Sequence, residues 1–156
     1  MNLVTGLAAG SAALVGFSLL TGRKPVIGND GLMIVAKVGD GQYMRPDAAE
    51  AFNRMAEAAA ADGITILAGS AFRSIPEQAL LYAQYVARLF TAPTVAKPGT
   101  SNHGNGTAVD IADAPGRSLT YSSPTYKWLL ANASDYDFSW DEGSKVNEPW
   151  HWRYAR

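Results

Sequence analysis

Ser101-Asn102-His103-Gly104-Asn105-Gly106-Thr107-Ala108-Val109-Asp110 is the stretch on which the reading of the whole chain turns. His103 is followed seven positions later by Asp110, with two glycines between them and a run of small and β-branched residues from Thr107 to Ala112. That pattern predicts a Gly-rich turn entering a strand. At period 2, Ala108, Asp110 and Ala112 share one face of the strand, while Thr107, Val109 and Ile111 take the other. A carboxylate standing on a face of small residues needs a partner, because burying it unpaired costs several kcal/mol or more. A metal ion is such a partner.

The matching half lies near the C-terminus, in Asn147-Glu148-Pro149-Trp150-His151-Trp152-Arg153-Tyr154. The chain has only two histidines, one in each stretch. His103, His151 and Asp110 would leave the fourth position of a tetrahedral zinc ion open to water, the arrangement of catalytic rather than structural zinc. Glu148 is then the candidate general base. In a regular strand residues three apart point to opposite faces, so Glu148 and His151 cannot both reach one ion from within a strand. Glu148 is therefore expected just before the last strand and His151 inside it, with Pro149 at the boundary. Trp150, between base and ligand, is the candidate pocket wall, and Trp140, Trp152 and Tyr154 are read mainly as core.

Ser101, His103, Gly106, Ala108 and Asp110 match SxHxxGxAxD at each defined position, and Glu148 with His151 match ExxH. In that order the two motifs resemble those of the M15-type D-alanyl-D-alanine metallopeptidases, in the group that also holds lysostaphin-like peptidases and hedgehog domains. The run Glu148 to Tyr154 is most similar to the VanY-like D,D-carboxypeptidases, and the similarity covers roughly residues 40 to 156. The resemblance implies Zn²⁺ as cofactor and peptidoglycan stem peptides ending in D-Ala as substrate. It implies that Arg73, in a Ser-x-x-Arg element with Ser70, holds the scissile carbonyl or the substrate carboxylate, a task suited to a planar, permanently charged guanidinium. Ala71-Phe72 stands where Gly-Tyr is common. Ser101 and Gln78 are expected to touch substrate on the same ground. The alternatives are a peptidoglycan endopeptidase, and a zinc-binding module without catalysis; retention of Glu148 and Arg73 opposes the latter.

Outward from these motifs, 156 residues make one domain with a real core. A 47% hydrophobic and 17% charged composition is globular, and a net charge of -1 gives no footing for a nucleic-acid partner. Absence of cysteine removes disulfides and thiolate metal sites. Residues 1–30 read as an apolar segment and linker, and residues 31–156 as the peptidase domain. The first 22 residues carry no charge. They lack the basic n-region of an export signal and are too rich in Gly, Ser and Thr for a convincing membrane anchor. A tail docking on a protein partner, such as a phage tail or envelope assembly, is the favoured reading. Extracytoplasmic action, or a place in a virion, follows from the expected substrate.

Patterning predicts an α+β fold: helices on one side of a small, mainly antiparallel sheet whose open face holds the metal. Strands are expected at Leu32–Val38, at 64–68 as a central strand, and at 136–140. A helix over 47–62 ends before Gly63. A second, capped by Ser74 with Glu77 in a capping box, runs to about Phe90 and packs through Leu80, Leu81, Tyr85, Val86 and Leu89. A short helix covers 124–131, and Asp141 to Ser144 reads as a hairpin-like turn.

Overall fold

A computed structural model describes residues 22–39, 41–88 and 94–156. The tail read as signal, anchor or docking segment falls, up to residue 21, outside the described residues. No helix among the described residues is long and apolar enough to cross a membrane.

The fold is α+β, and the described strands pair antiparallel in two sheets rather than one. The first joins β1 (Arg23–Gly28), β2 (Gly31–Val38) and β3 (Gln42–Met44). Arg23 to Pro25, expected as linker, is thus strand: β1 pairs with β2 from Arg23 opposite Ala36 to Gly28 opposite Gly31. Pro25 is tolerated because β1 lies at the sheet edge, where a missing N–H breaks no ladder. Asn29 and Asp30 form the tight turn.

Helix α1 (Pro46–Ala61) follows the expected boundaries. Its buried face, with Phe52 and Met55 at helical spacing, shares one core with Val109, Ile111, Trp152 and Tyr154, and Phe52 meets Phe138 edge-on at 6.2 Å between ring centres. The second sheet runs β4 (Leu67–Ser70), β5 (Ala108–Ala114), β8 (His151–Tyr154) and β7 (Phe138–Ser139), with β6 (Arg117–Ser118) paired to β5. The central strand is β5; the apolar run at 64–68, expected in the middle, supplies the outer β4 and starts three residues late. Ile64 N–H still donates to the Ala59 carbonyl at the end of α1 (2.8 Å), which holds the chain back from the ladder.

Helix α2 (Ile75–Val86) has the predicted Ser74–Glu77 capping box. Its packing face differs in part from the expected one: Leu81 and Tyr85 are half-buried, Leu80 and Val86 are 62% and 60% exposed, and Gln78 is the buried residue, while Leu89 and Phe90 lie outside the described residues. Helix α3 (Pro124–Asn132) is as expected. Asp141 to Ser144, expected as a turn, opens a short helix α4 (Asp141–Val146), where Ser144 N–H donates to the Trp140 carbonyl. Two acidic residues in its first turn suit the positive end of a helix better than a hairpin.

Candidate metal centre

Strand β5 carries the site because alternation sends its two faces to different environments. Val109 and Ile111 are fully buried in the core, while Asp110 faces the other way. Register then decides Asp110's neighbours: Ser70 of β4 stands opposite it on one side and His151 of β8 on the other. Residues directly opposite one another present side chains to the same face. The expectation that β8 starts after Glu148 holds, for His151 is its first residue. A turn closed by His151 N–H donating to the Glu148 carbonyl (3.1 Å) lets both side chains reach one place.

His103 comes from a 3-10 turn, Asn102–Asn105, whose N-cap Ser101 accepts from His103 N–H and whose end is Gly106 at φ 67°. Gly106 is needed there on two counts. Its φ is left-handed, and a Cβ would lie 2.8 Å from the Arg45 amide nitrogen. The turn is pinned from outside by Asn29, which donates through Nδ2 to the Ser101 carbonyl and to Asn105 Oδ1, both at 2.8 Å, and through its backbone to the Gly104 carbonyl.

His103, Asp110 and His151 offer donor atoms that all lie within 4.8 Å of one another. Asp110 Oδ1 is 3.4 Å from His103 Nε2 and 3.0 Å from His151 Nδ1. Donors at about 2.1 Å from a tetrahedral zinc stand about 3.4 Å apart, so this spacing fits the ion. The tautomer of His103 fits too. Its Nδ1 is 2.7 Å from the Ala71 carbonyl, which only accepts, so Nδ1 holds the hydrogen and Nε2 turns its lone pair to the centre.

Burial would raise the pKa of Asp110, but its close neighbours His103 and then His151 outweigh it and hold the carboxyl well below the usual range. For His151 burial works downward and the hydrogen bond to Asp110 upward, with a net rise. Glu148 moves up, chiefly through burial and then through repulsion by Asp110, against the pull of His151, His103 and Arg73.

These groups line one cavity of about 470 Å³, with Arg73, Gln78, Ser101 and Trp150 among its walls. The eight residues singled out from the sequence therefore meet in one place. Arg73 donates to Ser70 Oγ at 3.1 Å and to Gln78 Oε1 at 2.8 Å, and the Gln78 amide donates in turn to the Ala96 carbonyl at 2.7 Å. Gln78 thus spends much of its hydrogen-bonding capacity on holding Arg73 and the 94–100 segment. Glu142, Asn102 and Asn29 escaped the sequence reading. Glu142 lay in a segment taken for a turn, and nothing in the spacing of Asn29 tied it to a loop more than seventy residues away.

An α+β domain with a centre of two histidines and one aspartate, a carboxylate of raised pKa and an arginine in one cleft has the parts of a zinc hydrolase. The family profile described as VanY, D-alanyl-D-alanine carboxypeptidase, matches residues 41–156. The chain belongs to this VanY family. A putative carboxypeptidase, YodJ, of Bacillus subtilis (strain 168) is 32% identical over 128 residues, 73% of this chain and 47% of the relative. A D-alanyl-D-alanine carboxypeptidase of Enterococcus faecalis (strain ATCC 700802 / V583) is 33% identical over 118 residues, 64% of this chain and 43% of the relative. The chain thus spans less than half the length of these curated relatives.

Among solved structures, a mutant of the vancomycin-resistance D,D-pentapeptidase VanY in complex with Zn(II) superposes with TM-score 0.61 at 28% identity, covering 78% of both chains. The LdcB LD-carboxypeptidase gives TM-score 0.61 at 31% identity over 76% of this chain and 62% of its own. The zinc-bound relative and the donor set found here agree on the cofactor, Zn²⁺.

Proposed function

We propose that the protein is a zinc-dependent carboxypeptidase that removes the terminal D-Ala from peptidoglycan stem peptides, acting outside the cytoplasm where that substrate is found. The observation that carries the reading is the convergence of Glu148 and Arg73 on the His103–Asp110–His151 centre within one cleft. VanYB, a solved neighbour, is in complex with D-alanine-D-alanine (TM-score 0.61, 28% identity), which supports the substrate class. Zinc, when bound, supplies Lewis-acid polarisation of the scissile carbonyl and lowers the pKa of water at the site.

Glu148 accepts a proton from the attacking water as its oxygen bonds to the carbonyl carbon. The same carboxyl returns that proton to the amine nitrogen as the C–N bond breaks, releasing D-Ala. Burial first and then the charge of Asp110 push the Glu148 carboxyl upward, the direction that helps it hold a proton between the two transfers. Arg73, braced by Ser70 and Gln78, presents its fixed charge to the carbonyl oxygen or the terminal carboxylate. Ser101 and Trp150 bound the substrate on the cavity wall.

The LdcB neighbour favours a second reading, cleavage of the L,D bond in a stem tetrapeptide. Mass spectrometry of free stem pentapeptide and tetrapeptide after incubation with zinc-loaded protein separates the two. Loss of one D-Ala from the pentapeptide alone supports the D,D reading; loss from the tetrapeptide moves the assignment to L,D. Release of cross-linked fragments from intact sacculi would make it an endopeptidase. Glu148→Gln should lower turnover by about 10²- to 10⁴-fold with zinc retained, and loss of the metal from that variant would overturn Glu148 as base.

A further inference from the structure

We infer that Glu142 is a positioning residue that fixes the ring orientation and tautomer of His151 and ties together the two separate halves of the metal centre. The inference rests on the zinc reading above and extends it to a residue outside the two motifs.

Glu142 is placed by hard packing rather than by a flexible side chain. It stands in the first turn of α4, and its neighbour Gly143 is pressed against the segment that holds base and ligand. A Cβ at Gly143 would lie 2.5 Å from the His151 carbonyl oxygen and 2.6 Å from that of Glu148. Glu148 N–H donates to the Gly143 carbonyl at 2.9 Å, and Trp140 Nε1–H to the Glu148 carbonyl at 2.9 Å. Helix α4 and the Glu148–His151 turn therefore form one rigid block.

From that block the Glu142 carboxylate makes three contacts. Oε2 lies 3.5 Å from His151 Nε2, the ring nitrogen turned away from Asp110. Both oxygens accept from Asn102 Nδ2, at 2.7 and 2.8 Å, and Oε1 lies 3.0 Å from Arg153 Nε. Asn102 is the residue before His103. One carboxylate thus reaches His151 directly and the His103 turn through its neighbour.

The chemical consequence concerns which nitrogen carries hydrogen. Asp110 faces His151 Nδ1 at 3.0 Å and would by itself hold a hydrogen there; with a cation between them, the Glu142 carboxylate favours the hydrogen on Nε2 and leaves the Nδ1 lone pair for the ion. The Ala71 carbonyl does the mirror task for His103, where Nδ1 holds the hydrogen and Nε2 is free. The two histidines therefore present opposite nitrogens, and each tautomer has its own acceptor. Asn102 donates to Glu142 and the Arg153 guanidinium stands beside it as a fixed cation, so the carboxylate stays ionised and able to accept from His151.

The test is zinc affinity by chelator competition, with ¹⁵N NMR of the His151 ring, on wild type, Glu142→Ala and Glu142→Gln. Loss of an outer partner of a metal-ligating histidine weakens metal binding by about 10- to 100-fold, and that loss is expected for Glu142→Ala together with a shift of the His151 Nε2 resonance. Glu142→Gln keeps an acceptor oxygen and should recover most of both. Wild-type affinity and an unmoved resonance in Glu142→Ala would overturn the inference. So would equal loss in both variants, since that marks lost charge rather than a lost acceptor. If Glu142→Ala fails to fold, Glu142→Gln alone decides: an unshifted Nε2–H signal and near-wild-type affinity support the role, and a lost signal refutes it. Failure of the wild type itself to bind zinc would instead sink the metal reading.

Discussion

Gly143→Ala sets two physical rules against each other. Gly143 lies inside α4, and its φ is not left-handed. Helix propensity alone predicts that alanine stabilises such a position by about 0.5–1 kcal/mol. Packing predicts the opposite. The added Cβ would meet three atoms at 2.5 to 2.6 Å, two of them backbone carbonyl oxygens, where ordinary contact begins near 3.4 Å. Something must move by about 0.8 Å. Overpacking of this kind costs about 1–3 kcal/mol, and with the crowding on three sides the upper end applies, so a net loss of about 2 kcal/mol remains after the propensity gain. The carbonyls that must yield belong to Glu148 and His151, so the displacement falls on the proposed base and the proposed ligand. A misplacement near 1 Å costs about 10²-fold in rate. Urea unfolding and kcat/KM on a zinc-loaded stem pentapeptide assay measure both effects. A Gly143→Ala protein more stable than wild type, with kcat/KM within about threefold, would refute the claim that α4 and the 148–151 turn are rigidly joined.

Asn29→Ala removes two side-chain hydrogen bonds to the Ser101–Asn105 turn. The expected loss is about 1–3 kcal/mol in urea unfolding, with weaker zinc binding because the His103 turn loosens. Asp141 is held down to a pKa of about 2 by hydrogen bonds from Arg153 and Ser139. A depressed carboxyl contributes stability that is complete above its unfolded value near 3.8 and is lost as pH falls through about 2. Asp141→Asn should therefore flatten that part of the acid limb, modestly because the carboxylate is 42% exposed and screened. An unchanged acid limb would show that the ion pair with Arg153 contributes nothing. Chelation of zinc should lower stability by about 4 kcal/mol relative to protein held at about 1,000 times the dissociation constant. Thermal unfolding with and without chelator reads this, and coincident curves would argue against a bound metal in the folded state.

The residues that meet in the cleft were far more legible in the sequence than the elements that support them. The convergence of His103, Asp110, Glu148 and His151 follows from their type and spacing, and the period of β5 alone separated Asp110 from the core-facing Val109 and Ile111. Even the break between Glu148 and β8 followed from the parity of a strand. The supporting elements obey rules that spacing does not reveal. Leu80 and Val86 fit a helical apolar face and are nevertheless exposed, Leu80 because that side of α2 borders an open cleft. Asp141 to Ser144 looks like turn composition, yet it becomes helix because Gly143 can be pressed against a neighbouring carbonyl, a tertiary fact.

The hairpin of β1 and β2 carries the same point further. It lies before residue 41, outside the matched family region, and as sequence it reads as linker and one short strand. In the structure its turn brings Asn29 against Gly104, so close that a Cβ on Gly104 would fall within contact of the Asn29 amide. Gly28 is equally constrained, since a Cβ there would lie 2.6 Å from the Gly104 carbonyl oxygen. The glycines of the His103 turn are therefore explained by a partner outside the motif: Gly104 makes room for Asn29, and Gly106 makes room for Arg45. A motif glycine read only as turn-former loses half its meaning, because here the absent side chain is what allows a separate sheet to brace the His103 turn from behind.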